Sequence, residues 1–163
     1  WEHQALLRAR PVAGSVAVAA EFERIRRETL TQRVRRDSLR KDVISMRHRM
    51  RKELDRSNEL EFDLKNGVGG IGDIEFLVQF LVLNLAKSHP DVIFYSDNIR
   101  QLDALVEAGC LDAEVGEKLQ DCYRAYRLRQ HHLVIDGRSP LASADEFRSE
   151  RAFVEQIWGQ WLD

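Results

Sequence analysis

Phe62-Asp63-Leu64-Lys65-Asn66-Gly67-Val68-Gly69-Gly70-Ile71-Gly72-Asp73-Ile74-Glu75-Phe76 runs without a break into Leu77-Val78-Gln79-Phe80-Leu81-Val82-Leu83-Asn84-Leu85. Between Ile74 and Leu85 only Glu75, Gln79 and Asn84 are polar. A helix that is apolar almost all round has to be enclosed by other elements. Gly67, Gly69, Gly70 and Gly72 stand just before it. Glycine is favoured where φ is positive or the backbone passes close to another group, and is costly elsewhere. The stretch predicts a shaped turn opening a buried helix that carries an acid near its start.

Outward from this helix nearly every segment reads as helix. Upstream, Leu39, Val43, Met46, Met50 and Leu54 recur at helical spacing behind a cap at Asp37 or Ser38, with arginine and lysine elsewhere, as on a bundle helix. Earlier still, Ser15 is placed to cap a helix through about Leu30, with Val18, Phe22, Ile25 and Leu30 facing inward. Trp1 to Arg10 reads as the end of another, stopped by Pro11. Downstream, the buried helix closes at His89-Pro90, and Ser96 or Asp97 caps a short helix with Gly109 at its C′ position. Asp112 caps a long helix in which Val115, Leu119, Cys122, Tyr126 and Leu133 share a face, ending near Asp136-Gly137. Ser143-Ala144-Asp145-Glu146 has the form of a capping box, opening a last helix with Phe147, Val154, Ile157, Trp158 and Trp161 inward. Glu61 to Leu64 is the one segment expected to be briefly extended. The fold class is all-α, a long-helix bundle, without repeats.

At 163 residues, 44% apolar and 32% charged, the chain is long enough to bury roughly two-thirds of its unfolded surface in one domain. No stretch approaches the roughly 18 uncharged apolar residues a membrane span needs, and no leader pattern opens the chain. Cys110 and Cys122 form no metal or redox motif and read as reduced core thiols of a cytoplasmic protein. Trp1 stands first without a methionine, in what reads as mid-helix, so a piece of a longer protein is expected. Residues 1–60 hold 15 Lys and Arg against 9 Asp and Glu, and the remainder 10 against 18. The basic residues gather at Arg24, Arg26, Arg27, Arg33, Arg35, Arg36, Arg40 and Lys41 and again from Arg47 to Arg56. They read first as a solvated helix face. No aromatic residues interleave with them, so single-strand stacking has no platform and nucleic acid is not the expected partner.

The glycine run lacks both the GxxxxGK[ST] and the GxGxxG spacing and follows no βαβ pattern, so a self-contained phosphate loop is not expected. Asp73 and Glu75 are two residues apart. On a helix such residues diverge by roughly 200°, which rules them out as a metal-holding pair of the kind two-metal transferases set on a strand. Glu75 and Gln79 share a face. Their partners are sought among arginines of the basic helix or at Arg100, with a polar edge lining an interdomain cleft as the other reading. His131 and His132 have no acid at ligand spacing, and no nucleophilic constellation is present. Trp158 and Trp161 read as core packing.

These residues carry a resemblance. Phe62-Asp63-Leu64-Lys65, Gly69-Gly70-Ile71 and Asp73-Ile74-Glu75-Phe76 resemble a signature of the glutamine synthetase adenylyltransferases, the bifunctional adenylyl-transferring and adenylyl-removing enzymes. Trp1-Glu2-His3-Gln4-Ala5-Leu6, Arg8-Ala9-Arg10, Gln79 to Leu83, Asp97-Asn98-Ile99-Arg100 and Tyr123, Arg127 and Arg129 agree in the same order, so the likeness covers nearly the whole chain. The pattern resembles the C-terminal, adenylylating half of such enzymes. The resemblance implies a tail of an upstream polymerase-β-type nucleotidyltransferase domain at residues 1–12 and a single helical bundle at 13–163. It implies a parent enzyme that moves AMP from ATP, with Mg²⁺, to a tyrosine of glutamine synthetase under control of the PII signal protein. No residue here matches that family's catalytic metal-binding carboxylates, so this segment alone is expected to be inactive, with no catalytic or metal-binding residue and no cofactor of its own. Lys65, Gly69, Gly70, Asp73 and Glu75, with Gln79 and Arg100, are the candidates for a cleft or domain interface. The alternative from another class is a free-standing helical module whose basic N-terminal helices bind an acidic protein or nucleic acid.

Overall fold

A computed structural model describes residues 2–34 and 36–162. Trp1, in the first expected helix, Arg35, in the basic run, and Asp163 lie outside the described residues. Among the described residues the chain forms seven α-helices and one two-stranded ladder: α1 (Glu2–Arg8), α2 (Val16–Glu28), α3 (Arg36–Leu54), β1 (Glu61–Asp63), α4 (Ile71–Leu85), α5 (Asn98–Glu107), α6 (Ala113–Ile135), β2 (Leu141–Ser143) and α7 (Arg148–Leu162). A π-helical turn, Thr29–Arg33, follows α2, and a 3₁₀ turn, Pro90–Ile93, precedes α5. The fold is all-α, as the periodicity requires. No helix among the described residues is long and apolar enough to cross a membrane.

The described residues group into two compact units, one from the residues up to Arg40 with Val78–Gly116, the other from Lys41–Leu77 with the residues from Glu117 onward. The first unit buries Leu7 of α1, Leu30 and Val34 after α2, Phe80 to Leu83 of α4, Val92 and Ile93, and Leu102 and Leu105 of α5. Arg26, not Val18 or Ile25, is the residue α2 turns inward. Val18 is 70% exposed and Ile25 48%, whereas Arg26 is 3% exposed. Its guanidinium donates to the carbonyls of Leu6 at 3.1 Å, Leu7 at 2.8 Å and Ile93 at 2.9 Å. The first two are carbonyls at the C-terminal end of α1, where Leu6 O otherwise meets only the Ala9 N–H at 3.2 Å and the usual i+4 donors run out. The π turn likewise leaves carbonyls open, and Arg36 donates to Leu30 and Thr31 at 3.3 and 3.2 Å. Local chemistry sets α5. Asp97 accepts the Arg100 N–H at 3.0 Å, and Gly109 (φ 67°) ends the helix at C′.

The second unit buries Val43 of α3, Phe62 and Leu64 around β1, Ile71, Ile74 and Leu77 of α4, Leu119, Cys122, Tyr126 and Leu133 of α6, and Val154, Ile157, Trp158 and Leu162 of α7. Tyr126 lies edge-on to Phe62 (centroids 6.2 Å apart) and to Phe147 (5.1 Å). Two expectations are corrected here. The stripe of α3 is rotated: Leu54 is exposed, Met46 and Met50 are half-buried, and Arg47 takes the innermost place. Ser143 to Glu146 is not a capping box. Ser143 belongs to β2, which pairs antiparallel with β1 (Glu61↔Ser143, Phe62↔Ala142, Asp63↔Leu141). A turn follows, with Phe147 at φ 62° and α7 beginning only at Arg148. Backbone pairing with a strand distant in sequence outweighed the local side-chain option.

Candidate functional site

The glycine-rich segment starts from Asp63, the last residue of β1. Its buried carboxylate accepts the N–H groups of Lys65 and Asn66, both at 2.9 Å, and the Asn66 side-chain amide at 3.2 Å. This is how an aspartate turns a chain out of a strand. The backbone then closes on itself. Gly67 N–H donates to Asp63 O at 2.9 Å, Gly70 to Gly67 O at 3.1 Å, Ile71 to Leu64 O at 2.9 Å, Gly72 to Lys65 O at 2.9 Å and Asp73 to Gly70 O at 3.1 Å. Leu64 N–H donates to Pro140 O at 3.2 Å, and Gly69 N–H to the Asp73 carboxylate at 2.7 Å. A phosphate cradle needs N–H groups left over for the ligand; these nine have acceptors inside the protein.

A Cβ at any of the four glycines would stand under 3.0 Å from a main-chain carbonyl oxygen, and two of them show what the turn rests against. Gly69 has φ +76°, and a Cβ there would stand 2.7 Å from the Arg151 carbonyl of α7. A Cβ at Gly72 would stand 2.8 Å from the Lys65 carbonyl and 2.9 Å from Arg47 Nη2. The turn is thus pressed against α7 on one side and α3 on the other, and Arg151 completes it by stacking its guanidinium over Phe62 at 4.1 Å.

Asp73 is the hub. It is 2% exposed. Arg47 Nε donates to its Oδ1 at 2.6 Å, and Arg51 Nη2 to Oδ1 and Oδ2 at 2.7 and 2.9 Å. Arg47, wholly buried, also donates to Asn66 O at 2.9 Å and lies 6.0 Å from the centre of the Phe76 ring. One carboxylate therefore ties together α3, the N-terminus of α4 and the glycine turn. Two arginines on one buried acid leave excess positive charge. Charge-assisted hydrogen bonds of this length are the strong kind, and a buried ion is tolerated only with such partners. An acid in the first turn of α4 also suits the helix dipole.

The other candidates fall as follows. Lys65 is exposed and Glu75 half-buried, accepting the Tyr123 hydroxyl at 3.2 Å. Gly69 and Gly70 are buried within the turn, and Gln79, further along α4, is buried in the first unit. Arg100, also in the first unit, is held by Asp97 at 2.6 Å and lies over Tyr95 at 4.7 Å. The basic helix does answer an acid of α4, but the acid is Asp73. The spacing gave one usable sign, because Arg47 stands four residues after Val43 and Arg51 four after that, in line with the apolar stripe. Among the described residues no three His, Cys, Asp or Glu side chains are grouped so as to hold a metal ion.

Many of the arginines that make residues 1–60 basic are committed elsewhere. Arg24 bridges Glu21 at 2.7 Å and Glu28 at 3.2 Å, Arg33 reaches Glu28 at 2.5 Å, and Arg27 reaches Asp91 at 3.3 Å. Arg26 and Arg36 cap carbonyls, and Arg47 and Arg51 hold Asp73.

A family model described as GlnD PII-uridylyltransferase matches residues 37–156. Over its whole length the chain is 45% identical to a bifunctional glutamine synthetase adenylyltransferase/adenylyl-removing enzyme of Nitrosococcus oceani, of which it spans 17%. The like-named enzyme of Mannheimia haemolytica is 41% identical over 99% of the chain, and that of Pseudomonas aeruginosa 42% over 97%, with 17% of each covered. The chain spans about a sixth of the length of these curated relatives. It belongs to the family which that model describes, and it is similar from end to end to one segment of the glutamine synthetase adenylyltransferase/adenylyl-removing enzymes.

Proposed function

We propose that this chain is a helical domain of an enzyme that transfers AMP from ATP to a tyrosine of glutamine synthetase, working beside a nucleotidyltransferase domain upstream in the same polypeptide. The observation that carries the reading is the end-to-end similarity to enzymes of that name. The geometry supports the supporting role within it. The glycine turn, closed on itself and clamped by Asp73, Arg47 and Arg51, is a rigid ledge that positions other groups. Lys65 and Glu75 are the side chains this ledge offers to a neighbouring domain, while Asp73 acts as its brace. ATP and Mg²⁺ belong to the upstream domain, and this segment alone transfers nothing. The matched family model, named for a PII-modifying enzyme, supports PII as a second protein partner. Commitment of Arg24, Arg26, Arg27, Arg36, Arg47 and Arg51 to acceptors within the chain takes weight from the alternative, a free-standing basic module.

The test uses the full-length polypeptide. Lys65→Ala and Glu75→Gln are expected to lower adenylyl transfer to glutamine synthetase about tenfold each, the effect of about 1.4 kcal/mol of lost positioning, with the melting temperature unchanged. Unchanged transfer in both variants rejects the ledge role. Transfer by residues 1–163 alone with Mg-ATP rejects the division of labour.

A further inference from the structure

The α2 helix is turned the opposite way from an ordinary surface helix, with an arginine inside and valines outside. Val18, Phe22 and Ile25, at i, i+4 and i+7, lie within about 60° of one another around the axis. Val18 is 70% exposed and Ile25 48%, and Val12, ahead of the helix, is 83% exposed. At the N-terminal end of this strip is a groove of about 320 Å³ lined by apolar residues, among them Pro11, Val18, Ala19 and Phe22, and also by Arg10 and Ser15. Contiguous exposed apolar surface beside a concavity marks an interaction site. The charges flanking the strip are paired among themselves, Arg24 with Glu21 and Glu28, and Arg33 with Glu28. The strip itself, Val18, Phe22 and Ile25, offers a partner apolar contact.

We propose that this strip and groove are covered by an apolar face of the same polypeptide lying outside residues 1–163. The relatives supply the reason for that occupant: the segment makes up 17% of each, so most of the chain that could cover α2 is elsewhere in sequence. The inference rests on the reading that this segment works within a longer polypeptide, and not on the reaction that polypeptide performs.

A benzophenone amino acid in place of Val18 in the full-length polypeptide, irradiated and mapped by mass spectrometry, tests it. The expected result is a crosslink within one polypeptide to a residue outside 1–163, absent when the probe replaces the exposed Asp121. Ile25→Asp is expected to abolish that crosslink. A crosslink to a second copy, to another protein, or to nothing overturns the proposal, as does a crosslink that survives Ile25→Asp. An intrachain crosslink in a polypeptide that fails to adenylylate glutamine synthetase would uphold the docking surface while sinking the proposed function.

Discussion

Arg26 and Arg47 stand one in each unit and both are buried, yet the two charges are accommodated by different means. Arg26 is surrounded by dipoles: it donates to three main-chain carbonyls within 3.1 Å and reaches Glu23 at 3.3 Å, a partner itself half in solvent. Arg47 meets a full counter-charge, Asp73, at 2.6 Å. Carbonyl acceptors are part of the backbone and persist through any substitution. A carboxylate is one side chain, so everything resting on it can be removed at once. The first arrangement fastens the end of α1 to the fold, and the second concentrates three elements on a single residue.

The largest effect is expected at that residue. Asp73→Ala leaves the buried Arg47 guanidinium, and the half-buried Arg51 beside it, without a counter-charge and is expected to cost about 3–5 kcal/mol in urea unfolding. Replacing the cluster together, Asp73→Leu with Arg47→Met and Arg51→Met, is expected to recover most of the loss, since apolar substitutes for a buried ionic cluster are often neutral or better. Arg26→Met comes next at about 2–3 kcal/mol, the cost of leaving charge-bound carbonyls unpaired. No second side-chain substitution is expected to restore it, because its acceptors are main chain. A single change that rescued Arg26→Met, or failure of the triple variant to recover, would break the comparison. Gly69→Ala, forced into φ +76° against the Arg151 carbonyl, is expected to lose about 1–3 kcal/mol and to expose the turn to faster amide exchange.

The smallest effect sharpens the contrast with an exposed pair. Asp97→Ala removes the N-cap of α5 and is expected to cost about 1 kcal/mol. Burial alone would raise the Asp97 carboxyl, but the Arg100 N–H and guanidinium outweigh it and hold it below its usual 3.8. A group depressed in the folded state stabilises above its unfolded value. The Asp97 contribution is therefore expected in full above about pH 4 and lost as the pH falls through its lowered value, so wild type and Asp97→Ala should converge in acid melts.

Parts of this were legible in residues close together in the chain. Asp97 and Gly109 bound α5, and Asp112 opens α6 through its bonds to Glu114 and Val115 N–H, because caps are satisfied within a few residues. Ser143-Ala144-Asp145-Glu146 carried an equally good local pattern and failed, because Ser143 was taken by pairing with Glu61. Periodicity placed Leu39 and Val43 inward correctly but stopped short of Arg47, since charge was read as exposure. In α2 the same reading put Val18 and Ile25 inside, where the carbonyls at the end of α1 had instead drawn in Arg26. The glycine run announced a constrained backbone, and the spacing of its glycines argued against a phosphate loop. That its N–H groups are already satisfied is visible only once Leu64, Lys65 and Pro140 are seen beside it.

The amino-acid sequence by itself determined the all-α class, most helix limits and the family, because propensity, capping and motif spacing act over one or two turns of chain. Only the tertiary structure decided which arginines are interior, which acid they meet and that the glycine turn is closed. Periodicity states which residues share a face; it does not state what that face will meet. Glu23 apart, the acceptors of Arg26 and Arg47 lie 19 to 67 residues away in sequence, and only folding brings them within hydrogen-bonding distance.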